Sequence, residues 1–415
     1  MPSSAARWDV TLDDLRGALA RGELVFYFQP KVSMVLGTLC GAEALIRWRR
    51  GDGSIVPPAA FIPLAESSGF ITEITLGMLD ELVADLAILH AVDRGLVVSF
   101  NASARDFEER RLVDSLVRLL DGGLLPAGGV EVELTESAVL AAGPPLVERL
   151  DVLRKRGVSL AMDDFGTGYS SIDTLSRLPF TTLKVDQGIV GRMQESAKDA
   201  TIVESSIRLA HCLGLDIVAE GIETEAVFLR LQAAGCSVGQ GFWMGRPMPL
   251  DDLVALLRSG RRWPAGAIGL VHMAMLDHLE WRKALVDALL SAEPGGNPPP
   301  PDAFSRFDIE PTECRLGRWY KGPAKELAGI AAFAELEEPH DALHACGKRI
   351  VSASLRGVRF HDLVSEMRDL TRHSTRIIGL LQELEHAVLE RLADGERARS
   401  GQQREARASA AAAPR

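Results

Sequence analysis

The chain has 415 residues, of which 47% are hydrophobic and 25% charged, a composition typical of a folded globular protein of two or three domains. Its 46 basic and 57 acidic side chains give a formal net charge of -11, which argues against a nucleic acid polymer as partner, because proteins that bind the phosphate backbone carry a basic face. We expect no membrane span and no signal peptide, and the five cysteines favour a reducing, cytoplasmic location over a disulfide framework.

Short apolar runs alternate with helical stretches over the first 258 residues, and several of these runs end in a polar residue. The runs are VVSFN at Asn101, VEVE at Glu133, LAMDD at Asp163, TLK at Lys184, IVAE at Glu220 and SVGQ at Gln240. They follow one another at about the length of one strand-plus-helix unit, so the pattern predicts an α/β fold with a parallel sheet. A region of about 250 residues is long enough for a TIM-like (β/α)8 barrel.

The carboxyl ends of barrel strands open on one face, so these polar residues are predicted to meet at one rim. A single acidic residue at a strand end is commonly a helix cap or a solvated loop residue. Six strand ends in phase favour a site instead. Clustered carboxylates repel one another unless cations lie between them, and oxygen ligands suit Mg²⁺ or Mn²⁺.

The motifs in this region resemble those of EAL domains, which are cyclic-di-GMP phosphodiesterases. In chain order they are EALIRW at Glu43, NAS at Asn101, ELTES at Glu133, DDFGTGYSS at Asp163, KVD at Lys184, AEGIET around Glu220 and QGF at Gln240. The resemblance covers residues 10–258 and implies a barrel whose first strand is antiparallel. It also implies hydrolysis of cyclic-di-GMP to linear pGpG by a two-metal mechanism.

The resemblance assigns a role to each matching residue. Two Mg²⁺ or Mn²⁺ ions would be bound by Glu43, Asn101, Glu133, Asp163, Asp164 and Glu220. Catalysis would rest on Glu43, Asp163, Asp164, Lys184 and Glu220, with Lys184 contacting the attacking water. Gln29, Arg47 and Gln240 would bind substrate, while Glu136 and Glu223 would support the loop and the metal site. Departures from the family pattern at residues 172–174 and 187–188 remove no expected ligand.

A change of composition divides the remainder of the chain. Residues 259–267, which include SGRRWPAG, read as a linker, and residues 268–394 carry amphipathic helical patterns without strands. Residues 293–302 (EPGGNPPPPD) are predicted to form an extended loop, because consecutive prolines supply no helix hydrogen bonds. The Arg/Ala-rich tail, residues 395–415, lacks large apolar residues and is expected to be disordered.

Three short motifs in the second region suggest a metal site. They are DHLEW with His278, CRLGRWY with Cys314, and HDALH with His340 and His344 four residues apart on one helix face. Each motif alone is weak, because paired histidines and single cysteines are common in cores. In this order they resemble the chemoreceptor zinc-binding (CZB) domain, an all-α helical bundle. The resemblance implies one Zn²⁺ bound by His278, Cys314, His340 and His344.

Three hypotheses follow. The first is a cyclic-di-GMP phosphodiesterase regulated by a zinc- or redox-sensing domain and assembled as a homodimer. The second is a cyclic-di-GMP receptor without catalysis, and the intact acidic residues count against it. In the third the helical region is only a dimerisation module.

Overall fold

The computed structural model describes residues 8–136, 138–139, 144–166, 175, 177–266, 268–291, 304, 307, 310–321, 324 and 327–411. The chain divides into two compact units. The barrel unit consists of the residues up to Leu231 together with Cys236–Pro264, and the helical unit consists of Gln232–Gly235 and the residues from Ala265 onward. The predicted loop at 293–302 and the part of the DDFGTGYSS motif from residue 167 onward lie outside the described residues.

The barrel unit is built on one sheet of nine strands. The strands are β1 (Leu24–Ser33), β2 (Thr38–Arg49), β3 (Ile55–Val56), β4 (Val97–Asn101), β5 (Val130–Thr135), β6 (Ser159–Phe165), β7 (Thr182–Val185), β8 (Asp216–Ala219) and β9 (Val238–Gln240). Their order is β1-β9-β8-β7-β6-β5-β4-β2-β3, and β1 also pairs with β2, so eight strands close into a barrel and β3 extends β2 outside it.

Strand β1 is antiparallel to both of its neighbours, β2 and β9, whereas the pairs from β2 and β4 round to β9 are parallel. This confirms the predicted barrel with an antiparallel first strand. The short connection between β1 and β2 explains the exception, because a tight hairpin can join only antiparallel strands.

Helices fill the intervals between the strands, as the sequence spacing predicts. Those described in the barrel unit are α1 (Leu12–Ala20), α2 (Ile62–Ser68), α3 (Ile71–Gly77), α4 (Leu79–His90), α5 (Arg111–Asp121), α6 (Pro144–Arg154), α7 (Gln187–Arg192), α8 (Ala197–Leu213), α9 (Glu225–Ala233) and α10 (Leu250–Arg258). Helix α1 begins with a capping box between Thr11 and Asp14, and α8 ends at Gly214, whose φ of 69° favours glycine.

The strand register staggers the polar residues from strand to strand around the rim. Glu43 lies beside Ser99 on β4, Asn101 beside Glu133, and Asp163 beside Thr135 on β5. The ladder between β6 and β7 is interrupted between Met162 and Phe165. The two aspartates of the DDF motif lie within that interruption. There the side chains no longer alternate strictly between the two faces of the sheet.

The helical unit contains no strand among its described residues. Its helices are α11 (Ile268–Ser291), α12 (Arg315–Lys321), α13 (Ala331–Ala334), α14 (Glu337–Leu355) and α15 (Val364–Ala411). Helix α15 packs against α11, α13 and α14. Its buried residues recur at helical spacing and include Leu370, Ile377, Leu380, Leu384 and Val388.

Helix α15 continues to Ala411 and so includes residues 395–411 of the Arg/Ala-rich tail. The Ala, Arg, Glu and Gln residues of this segment all have high intrinsic helix propensity, so a helix can continue without an apolar face. Within the described ranges, none of the helices has both the length and the apolar content that a bilayer span requires.

Candidate active site and metal centres

A buried lysine occupies the centre of the barrel rim. The Nζ atom of Lys184 on β7 lies 2.7 Å from Glu220, 3.3 Å from Asp163 and 3.5 Å from Glu43, and it donates a hydrogen bond to Glu133. Lys184 is fully buried. The fold therefore brings together one ammonium and four carboxylates from five strands or strand ends of the barrel, and all of these residues except Glu43 belong to the strand-end pattern.

Two side-chain amides complete this ring on the side of Glu43. Asn101 Nδ2 and Gln240 Nε2 each donate to a different oxygen of Glu43, both at 2.7 Å. Gln240 Nε2 also lies 3.3 Å from Gln29 Oε1, so Gln29 is linked to the Glu43 carboxylate through Gln240. The buried Oε1 atom of Gln240 has no hydrogen-bond partner among the described residues.

A second buried layer lies beneath the ring, and the sequence analysis missed it. Lys31 Nζ on β1 lies 2.8 Å from Glu133 and 2.9 Å from Glu131, and Thr182 donates to Glu131 at 2.6 Å. The VEVE run indicates this second layer, because Glu131 and Glu133 are two residues apart on one strand and therefore lie on the same face. Glu131 and Glu133 on an inward face require cationic partners.

Burial and neighbouring charges shift the pKa values of the ring. Burial raises the pKa of Glu43, and the nearby Glu133 raises it further. Burial is also the main cause that raises the pKa of Glu220 to about 8. Burial alone would raise the pKa of Glu133, but Lys184 and Lys31 outweigh it and hold that pKa below its usual range. Glu133 is therefore the carboxylate whose ionised form is most stabilised.

The two aspartates of the DDF motif differ in geometry. Asp163 is buried, which raises its pKa, and its Oδ1 accepts the backbone N–H of Asp164 at 2.8 Å. Asp164 has a φ of 58°, and burial raises its pKa as well. A positive φ costs free energy at a residue other than glycine, and such strain is concentrated at functional sites.

The donor set fits divalent cations. Seven carboxylates lie in or beside this part of the barrel: Glu43, Glu131, Glu133, Asp163, Asp164, Glu220 and Glu223. They outnumber the two ammonium groups, those of Lys31 and Lys184, so bound cations would relieve the repulsion between them. Carboxylate and amide oxygens are ligands that Mg²⁺ and Mn²⁺ prefer.

Two cavities open at this end of the barrel. An acidic cavity of about 260 Å³ is lined by residues that include Gln29, Glu43, Leu45, Asp163, Asp164, Glu220, Glu223 and Gln240. An apolar cavity of about 680 Å³ is lined by residues that include Leu45, Ile46, Met78, Leu82, Phe100 and Asn101. Leu45 lines both, so the two cavities adjoin.

Two other predicted residues lie apart from the acidic ring. Arg47 is half-buried on β2 and donates to the backbone carbonyl of Ile46 at 2.9 Å, and it lines neither cavity. Glu136 is buried, and neither of its carboxylate oxygens has a hydrogen-bond partner among the described residues.

The helical unit has a cluster of metal-ligating side chains. Ligand atoms of Cys314, His340 and His344 all lie within 4.8 Å of one another, and all three residues are buried. Cys314 Sγ lies 3.1 Å from His340 Nε2 and accepts the backbone N–H of Gly317 at 3.2 Å. A thiol and two imidazoles this close are suited to tetrahedral zinc.

The fourth predicted ligand, His278, is not part of this cluster. Its Nε2 atom lies 2.9 Å from the hydroxyl oxygen of Ser374 on α15, and Arg282 donates a hydrogen bond to the same oxygen at 3.4 Å. Burial lowers the pKa of His278 and of His344 to about 4, and that of His340 to about 3. These imidazoles are therefore neutral near pH 7, the form that binds metal. The sequence analysis missed Ser374, which lies outside the three motifs.

The other residues of the motifs shape this cluster. Trp281 packs on the His344 ring at a centroid distance of 5.2 Å, and a Cβ atom at Gly347 would come within 2.9 Å of that tryptophan. A Cβ atom at Gly317, in the first turn of α12, would overlap the carbonyl oxygen of Pro311, so only glycine fits at this position.

Comparisons with known proteins agree with this geometry. Residues 12–247 match the family model of the EAL domain, and residues 278–351 match that of the chemoreceptor zinc-binding domain. The bifunctional diguanylate cyclase/cyclic di-GMP phosphodiesterase MucR of Pseudomonas aeruginosa is 40% identical over 245 residues, which cover 59% of this chain and 36% of that protein. The cyclic di-GMP phosphodiesterase RocR of the same organism is 35% identical over 237 residues, covering 57% of this chain and 60% of RocR.

A solved structure of the PaMucR phosphodiesterase in complex with c-di-GMP has a TM-score of 0.55 and 40% identity, and the match covers 58% of this chain and 98% of that one. The chain thus spans less than two thirds of the length of these two curated relatives. Because the EAL model matches more than half of the sequence, the protein belongs to the EAL domain family, with a match to the chemoreceptor zinc-binding domain in its helical unit.

Proposed function

We propose that this protein hydrolyses cyclic-di-GMP to linear pGpG. Hydrolysis adds one water across one phosphodiester, breaks a P–O3′ bond and leaves a 5′ phosphate. The observation that carries the proposal is the ring of four carboxylates around Lys184 at the carboxyl ends of the barrel strands. The proposal is also supported by the relatives MucR and RocR, which are both named as cyclic di-GMP phosphodiesterases. We assign the activity to residues 10–258, with 259–267 as a linker and 268–394 as the zinc-binding domain.

Two divalent cations would be held by the carboxylates of the ring together with the amide oxygen of Asn101. The full set is Glu43, Asn101, Glu133, Asp163, Asp164 and Glu220. When bound, such ions act as Lewis acids that stabilise negative charge on a phosphodiester. Lys184 supplies a fixed positive charge and three N–H donors among these ligands, so it can orient a water toward the phosphorus.

The two adjoining cavities suit the two parts of the substrate. The acidic cavity, with Gln29 and Gln240 at its edge, would face the scissile phosphodiester, and the larger apolar cavity would take a guanine base. Arg47, whose guanidinium can bind a phosphate with two parallel hydrogen bonds, would bind the distal phosphate. Glu136 and Glu223 would support the neighbouring loop and the metal site.

The test is hydrolysis of cyclic-di-GMP with Mg²⁺ or Mn²⁺, followed by chromatography of the nucleotides. Loss of one ligand should cost several kcal/mol of transition-state stabilisation, so Glu43→Gln is expected to lower turnover at least about 100-fold. Glu148→Gln, an exposed acid on α6, is the matched control and should retain activity. Binding of cyclic-di-GMP without pGpG in the wild type would favour the receptor hypothesis.

We further propose that the helical unit binds one Zn²⁺ through His278, Cys314, His340 and His344, and that zinc occupancy or oxidation of Cys314 regulates the barrel. The three clustered ligands support the metal site. A thiolate is also the ligand that oxidants remove first. This use of Cys314 requires a reduced thiol, which is consistent with a cytoplasmic location.

The regulatory proposal is tested by measuring turnover with zinc added and with zinc chelated. Wild type should differ between the two conditions, and Cys314→Ala should not. Cys346→Ala is the matched control, because Cys346 is also buried but donates to the carbonyl of Glu366 away from the cluster. Equal rates for wild type in both conditions would mean that zinc does not regulate the enzyme.

We also propose a symmetric homodimer, which is the commonest assembly of soluble proteins with a single chain type. Light scattering at micromolar concentration should give twice the chain mass. A mass near 44.9 kDa would identify a monomer instead.

A further inference from the structure

Lys31 is a second buried lysine that the proposed mechanism does not use. Its Nζ atom contacts Glu133 and Glu131 at 2.8 and 2.9 Å, and the side chains of all three residues are less than 10% exposed. Lys31 lies on β1 where this strand pairs with Gln240 of β9 and with Gly41 of β2. It therefore reaches the interior of the barrel from the strand that closes it.

The two oxygens of Glu133 have different partners. Oε1 accepts from Lys31, whereas Oε2 accepts from Lys184 in the ring. Lys31 thus fixes the edge of the carboxylate that faces away from the ring, which leaves Oε2 directed at the centre. A carboxylate held by one oxygen loses little further conformational freedom when the other oxygen binds a cation.

Glu131 fixes Lys31 in turn. Its Oε1 accepts from Lys31, and its Oε2 accepts from the Thr182 hydroxyl on β7. Thr182 is two residues before Lys184 on the same strand, so both side chains point into the barrel. The chain of contacts runs from β7 through Glu131 and Lys31 to Glu133.

We propose that Lys31 is a positioning residue that orients Glu133 for binding a divalent cation. The inference rests on the proposed function, because it assumes that Glu133 is a metal ligand. Residues that hold a metal ligand in place typically change metal affinity about 10- to 100-fold when they are replaced.

A purely structural role is the competing explanation, in which Lys31 only neutralises the buried carboxylate of Glu131. The two explanations differ for the double variant Lys31→Met/Glu131→Gln. This variant removes one positive and one negative charge, so the charge balance of the interior is restored and the barrel is protected from unfolding. The contact to Glu133 Oε1 is still lost.

The experiment is calorimetric titration of the full chain with Mn²⁺ alone, after removal of metals. The double variant, which keeps the net charge of the interior, is expected to bind Mn²⁺ about 10- to 100-fold more weakly than wild type. Glu131→Gln, whose amide oxygen can still accept from Lys31, is expected to bind more tightly than the double variant. Glu148→Gln, an exposed acid on α6, is the matched control and should bind like wild type. Circular dichroism in EDTA verifies that each variant is folded.

Wild-type affinity in the double variant would overturn the positioning role while leaving the proposed metal site intact. Binding by Glu131→Gln as weak as that of the double variant would also overturn it, because the loss of Glu131 and not of Lys31 would then control the affinity. A wild type that binds no Mn²⁺ would instead refute the metal site of the proposed function, and this inference with it.

Discussion

Replacing Lys184 by Met tests whether the acidic ring is built for cations. Lys184 Nζ contacts four carboxylates, three of them at 2.7 to 3.5 Å, and the side chain is almost completely buried. Removing one partner of a buried charge pair costs about 3–5 kcal/mol, because the remaining charge is left buried without compensation. In EDTA we therefore expect Lys184→Met to lower the free energy of unfolding of the barrel by about this amount.

Divalent cations should reverse most of this loss. A ligand at 100 times its Kd adds about 2.7 kcal/mol to the free energy of unfolding, so two sites add about 5 kcal/mol. The variant should gain more from Mn²⁺ than wild type gains, because its ring has one more uncompensated negative charge. For a unit of this size, 1 kcal/mol corresponds to about 2–4 °C in Tm, so the loss in EDTA should be about 6–20 °C.

The assay is differential scanning calorimetry in EDTA and in excess Mn²⁺, following the transition that responds to Mn²⁺. The matched control is Arg111→Met, which removes an exposed cation that pairs with Glu73 and should cost about 0–1 kcal/mol with or without metal. If Lys184→Met loses the same stability in EDTA and in Mn²⁺, the ring does not bind divalent cations and the reasoning is refuted.

Three further outcomes are expected. The pKa of Glu220 is raised from 4.5 to about 8, so the folded protein in EDTA retains a proton that the unfolded chain releases. The free energy of unfolding should therefore fall as the pH rises from about 4.5 to about 8. Glu220→Gln should reduce this pH dependence, measured by denaturant titration. Gly317→Ala should abolish zinc retention measured by metal analysis, because its Cβ would overlap the Pro311 carbonyl, and a zinc content equal to wild type would contradict this. Ser374→Ala should weaken zinc binding about 10-fold or more, measured in competition with a chromogenic chelator, because His278 loses its hydrogen-bond partner. An unchanged zinc affinity would show that Ser374 does not orient His278.

The sequence predicts the barrel well because its signals are local and periodic. Apolar runs ending in polar residues indicate both the strands and the face on which Glu133, Asp163 and Lys184 meet, whereas Glu43 is identified only by the resemblance to EAL domains.

Partners that lie outside a motif cannot be predicted in this way. Lys31 and Glu131 meet only because β1 and β5 face each other across the barrel interior, and nothing in either strand specifies that register. Ser374 meets His278 through the packing of α15 against α11, between residues almost a hundred positions apart. Whether His278 joins the other three zinc ligands therefore depends on tertiary packing, which the motif does not encode.

The seam between β1 and β9 also has a consequence for how the protein is made. Lys31 pairs with Gln240, so the first strand finds its second neighbour only after more than two hundred further residues have been synthesised. At about 5–20 residues per second, the open edge of β1 waits roughly 10–40 s on the ribosome. An unpaired edge is a template for association with other chains, and closing so large a loop is entropically slow. Premature release of the chain before β9 should therefore yield an aggregation-prone fragment rather than a smaller working barrel.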